Sequence, residues 1–140
     1  MSGDELQRAA AFRTALRQFL ARTNEASAAA GLTSQRYDLL LAIKTGNGET
    51  STVSELVKRL SLPQPAVTEL VKRAEEAELI ERSAGADRRV SVLRLTPTAD
   101  ERLLQAFVAL RAERRQLADA MSAVDASFRA FVQVRDEAAR

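Results

Sequence analysis

The chain of 140 residues is 46% hydrophobic and 29% charged, the balance of a globular domain large enough to bury one core. Its 21 Lys and Arg face 19 Asp and Glu, leaving a net charge of +2, so basic side chains matter here by placement rather than by sum. Cys and His are both absent, which excludes disulfides, thiolate or imidazole metal sites and the usual nucleophile–base pairs of hydrolases; neither an enzyme nor a metal or cofactor is expected.

From about Asp4 to Ala30, Leu6, Ala9, Phe12, Leu16, Phe19 and Leu20 recur at helical spacing, predicting a long helix whose apolar stripe it cannot bury alone. Gly31-Leu32-Thr33 marks its end and a new cap, after which Tyr37, Leu40, Leu41 and Ile43 predict the buried face of a short helix. Thr45-Gly46-Asn47-Gly48 ends that helix. Without a following Lys-Ser/Thr it is a connection, not a phosphate loop.

Thr52-x-x-Glu55 is a capping box, the hydroxyl taking the third backbone N–H while the carboxylate reaches back. It starts a helix through Leu60. Ser61-Leu62-Pro63 stops it, and Pro63 and Pro65 are both expected in the first turn of the next helix, about Gln64 to Ala77, where their missing N–H groups would have no partner anyway. So short a turn sets two helices at a steep angle, as in a helix-turn-helix. Val67, Leu70, Val71 and Ala74 form the buried stripe of the second helix, while Gln64, Thr68 and Lys72 form a wettable one. Gln can pair with adenine edges, Thr can offer a hydroxyl or methyl, and Lys can reach guanine or phosphate. A merely solvated face is the bland alternative for any one helix; the turn before this one and the hairpin after it favour recognition.

Leu79 to Ser83 and Val90 to Leu95 read as two strands around Ala84-Gly85-Ala86-Asp87-Arg88-Arg89. Arg88 and Arg89 at such a tip suit phosphates or a narrow minor groove, with Asp87 expected to orient one guanidinium through a forked ion pair. Pro97 then opens a helical pattern through Leu103, Phe107, Leu110, Leu117 and Met121, and Val124, Phe128, Phe131 and Val132 supply another. All five Phe lie outside the helix-turn-helix and hairpin. So much apolar helix length around a small lobe predicts a homodimer.

Ser54-Glu55-Leu56, Leu60-Ser61-Leu62, Ala66-Val67-Thr68, Leu79-Ile80-Glu81-Arg82 and above all Asp87-Arg88-Arg89 with Leu95-Thr96-Pro97 resemble the MarR family of winged-helix regulators. The resemblance implies a mainly α fold with a small β-hairpin wing, read as one domain over 1–140. The winged lobe would span about 33–96, flanked by dimerisation helices at about 4–30 and 97–139. It further implies a homodimer that binds palindromic double-stranded DNA through Gln64, Pro65, Thr68, Lys72, Arg88 and Arg89, with Asp87 supporting the wing. It also implies a repressor's role and release by a small-molecule effector, with Arg13, Arg17 and Tyr37 as candidate pocket residues.

Three positions depart from the family pattern: Glu78 and Ala99 stand where Gly is usual, and Glu69 where a basic residue is common. Glu78 must accept left-handed strain or end its helix differently. With Glu75 and Glu76, these carboxylates oppose phosphate, which motivates an alternative reading as a winged-helix protein–protein adaptor without DNA binding. No run of about 18 apolar residues and no charged-then-apolar leader occurs, so a cytoplasmic protein without membrane contact is expected.

Overall fold

In the computed structural model the backbone is described for residues 3–138 and side chains for residues 3–124. In chain order the elements are α1 (Gly3–Ala29), α2 (Ser34–Lys44), a 3-10 turn (Asn47–Glu49), β1 (Thr50–Ser51), α3 (Val53–Leu60), α4 (Gln64–Glu76), β2 (Ile80–Ala84), β3 (Ser91–Leu95), α5 (Pro97–Ala109) and α6 (Arg111–Ala138). The chain is therefore mainly helical with a small antiparallel sheet, as the sequence predicts. The sheet has three strands, in order β1-β3-β2; β1 was not anticipated, since two residues, Thr50 and Ser51, carry no readable alternation. They pair with Arg94 and Leu93.

Two compact units form, one of residues 24–108 and one built from the described residues before and after it. In the first, Tyr37, Leu39, Leu40 and Ile43 of α2 share a core with Leu56, Val67, Val71, Ala74, Leu79, Ile80, Leu93 and Leu95. Leu39 is buried where Leu41 was expected to be; Leu41 instead lines a cleft of about 370 Å³ between α2 and α3. Arg59 of α3 fixes the two helices together by donating to the Ala42 and Thr45 carbonyls and the Thr45 hydroxyl. Partial desolvation raises the carboxyl pKa of Asp38 in the same cleft above the ordinary Asp value.

The last turn of α1 (Ala26, Ser27) and one face of α5 (Ala99, Leu103, Ala106) are buried in this unit as well. Ala99 leaves α5 intact, and Thr96 caps it by accepting from the Ala99 N–H at 3.2 Å. Lys44 bridges Glu49 at 3.2 Å and Asp100 at 2.9 Å, tying the 3-10 turn and α5 to the end of α2. Hydrogen bonds donated by its ammonium to those two carboxylates, Asp100 first, raise its pKa.

In the second unit, Arg22 of α1 meets Glu113 of α6 at 3.1 Å. The sequence pattern from Pro97 through Met121 is divided at Leu110, which is fully buried. Neither Gly nor Pro stands there, so no breaker marks the division. Val124 falls on α6, while the expected apolar roles of Phe128, Phe131 and Val132 lie outside the described side chains.

Candidate nucleic-acid interface

The helix-turn-helix begins at Thr52, whose hydroxyl accepts from the Glu55 N–H at 3.2 Å. The Glu55 carboxylate takes the Ser51 hydroxyl at 3.3 Å, so the box closes onto β1. Ser61 ends α3 in the left-handed region at φ 53°, and Pro63 follows as the N-cap of α4 with φ −62° and ψ 151°. Pro63 thus stands outside the helix, correcting the expectation that it joins the first turn, because its extended ψ is what turns the chain. Pro65 does occupy that turn, where its missing N–H costs nothing.

Val67, Val71 and Ala74 anchor α4, each at most 1% exposed, whereas Leu70 is half-buried. Gln64, Thr68 and Lys72 are all exposed. The acidic residues of this helix are partly answered within the protein. Glu69 pairs with Arg73 at 2.9 Å, and Glu75 takes a forked contact from Arg82 of β2, at 3.3 Å from Nε and 2.6 Å from a terminal nitrogen. The second pair ties the helix to the wing. Neither arginine stands out in the sequence, although Glu69–Arg73 has the i,i+4 spacing that announces a helix pair.

Past α4 the chain turns through a Schellman motif. The Leu79 N–H reaches the Ala74 carbonyl at 2.9 Å and the Glu78 N–H reaches Glu75 at 3.0 Å. Glu78 sits in the left-handed slot at φ 59°, so of the two outcomes open to it the chain accepts strain. Thr96 then braces the corner, its hydroxyl donating to the Glu78 carbonyl at 2.8 Å.

β2 and β3 pair from Ile80↔Leu95 to Ala84↔Ser91. At the tip, Asp87 Oδ1 accepts from the Arg89 backbone N–H at 3.1 Å. The expected fork to a guanidinium is not formed, because the short Asp side chain folds back onto the turn it caps. Arg88 and Arg89 are exposed, and among the described residues their guanidinium groups take no protein partner. The third group of candidates is not brought together in one unit. Arg13 and Arg17 are exposed on the first part of α1, with Arg17 donating to the Thr14 hydroxyl at 3.4 Å, while Tyr37 is 5% exposed within the core of residues 24–108.

A helix-turn-helix followed directly by an antiparallel hairpin defines the winged-helix class. The MarR family model matches residues 30–90. Over that segment the chain is similar to the MarR family. Among solved structures it is similar to AbsC, a MarR family transcriptional regulator from Streptomyces coelicolor, at 17% identity and TM-score 0.70 over 98% of this chain and 97% of that one. It is similar also to a MarR variant from E. coli complexed with operator DNA, at 19% identity, TM-score 0.69 and coverage of 85% and 89%. A third likeness is to the M. tuberculosis transcriptional regulator MosR in complex with DNA, at 25% identity, TM-score 0.63 and coverage of 91% and 94%. The comparison with curated protein sequences yields no match. Among the described residues no helix is long and apolar enough to cross a membrane.

Proposed function

We propose that the chain is a DNA-binding transcriptional regulator that works as a homodimer on a palindromic operator, as a repressor released by a small-molecule effector. One observation carries the reading: α4 holds Gln64, Thr68 and Lys72 exposed beside a wing whose Arg88 and Arg89 have no protein partner among the described residues. Donors left uncommitted on two adjacent projections fit a duplex, the helix at base edges in the major groove and the wing at phosphates or the minor groove. Pro65 shapes the helix entry, and Asp87 sets the tip by holding the Arg89 backbone.

Dimerisation is supported by apolar side chains left open on the helices: Leu6 and Leu20 of α1, Leu104 and Val108 of α5, and Met121 of α6 are 48–62% exposed. Water-facing Leu and Met on successive helices are what a second copy would cover. Arg13 and Arg17 are cations suited to an anionic effector. Tyr37, being in the core, would contribute only if that core repacks around a ligand.

Selection of bound sequences from random duplex DNA tests the reading. Enrichment of a palindrome with half-sites about one helical turn apart is expected. No enrichment over a control protein would leave the adaptor reading in place.

A further inference from the structure

We propose that Glu69, held by Arg73, reads a base directly by accepting a hydrogen bond from the 4-amino group of a cytosine in the major groove. The inference rests on the DNA-binding reading of α4 and reverses the expectation that this carboxylate only repels phosphate. At about 100° per residue, Glu69 lies roughly 170° around the helix from the Val67, Val71 and Ala74 anchor, more squarely outward than Gln64 or Thr68. Arg73 Nε occupies Oε1 at 2.9 Å, and Oε2 takes no hydrogen bond from any described residue. The pair is 66% and 54% exposed for Arg73 and Glu69, so it contributes little to holding the helix together. Its effect is on recognition. A guanidinium at one oxygen offsets the charge that would oppose phosphate and favours one rotamer of the carboxylate, leaving the second oxygen as an acceptor. Cytosine is the base whose major-groove edge offers a lone amino donor, and carboxylates pair with it.

The test compares the full-length protein with Glu69→Ala and Glu69→Gln in selection from random duplexes, with thermal melts confirming that each variant folds. Wild type should enrich cytosine at one position of each half-site. Glu69→Ala should lose that preference by about fivefold or more while keeping the others, and Glu69→Gln should move it toward adenine. A wild type that selects a site which Glu69→Ala selects unchanged, with affinity merely raised for all sequences, would overturn the cytosine contact alone. A folded wild type that selects nothing would overturn both this contact and the DNA-binding reading.

Discussion

Replacing Glu78 by Gly should stabilise the protein, because it relieves strain and removes nothing else. α1 and α4 end in the same motif, the first with Gly31 in the left-handed slot at φ 78° and the second with Glu78 at φ 59°. In this region a Cβ crowds the following carbonyl at a cost of about 1–2 kcal/mol. Gly avoids that, but its freer unfolded chain returns about 0.4–1 kcal/mol, so the net gain is about 0.5–1 kcal/mol. The Glu78 side chain is exposed and makes no hydrogen bond or ion pair among the described residues, and both backbone contacts of the motif survive. At about 2.1 cal/mol/K per residue over 140 residues, the unfolding entropy is about 0.3 kcal/mol/K, and Tm should rise by about 2–3 °C in thermal melts followed by circular dichroism. Glu78→Ala, which removes the charge and keeps the strain, should melt within about 1 °C of wild type. A Glu78→Gly protein that melts at or below wild type would refute the strain argument.

Three further outcomes follow from other parts of the molecule. Arg89→Ala should flatten the dependence of log affinity on log salt by up to about two units, one phosphate contact being lost from each wing of a dimer; an unaltered slope would remove the wing from the mechanism. Leu104→Glu, which charges a side chain already 62% exposed, should give a folded monomer in sedimentation equilibrium, and a persistent dimer would exclude this part of α5 from the interface. The Glu113 carboxyl pKa is lowered by a backbone N–H and by the Arg22 guanidinium. Its contribution to stability is present above the ordinary Glu value of 4.5 and is lost as pH falls through the lowered one. Arg22→Ala should therefore raise the Glu113 pKa toward 4.5 in an NMR titration.

What was legible in the sequence was local. Thr52 three residues before Glu55, two prolines after a helix, and a polar loop between apolar runs each specify one backbone event, and those events make the helix-turn-helix and hairpin. β1 was invisible because two residues hold no period. The break at Leu110 was hidden because burial of one Leu marks it, with no breaker. Residue type alone does not tell a side-chain pair from a turn cap, which is why the sequence points Asp87 at a guanidinium and the structure at the Arg89 N–H. The pairing of Glu69 with Arg73 is legible from its i,i+4 spacing, whereas charge alone presents Glu69 only as repulsion of phosphate. Glu78 was legible as a choice between strain and another ending, and only the backbone angle decides it.

The claim that α4 reads sequence is tested most directly by measuring Gln64→Ala and Thr68→Ala against a selected operator and all of its single-base-pair variants. Each substitution should relax preference by about 1–3 kcal/mol at particular base pairs and leave the others as in wild type. A loss spread evenly over every variant would show that these side chains grip the duplex without reading it, and would contradict the account.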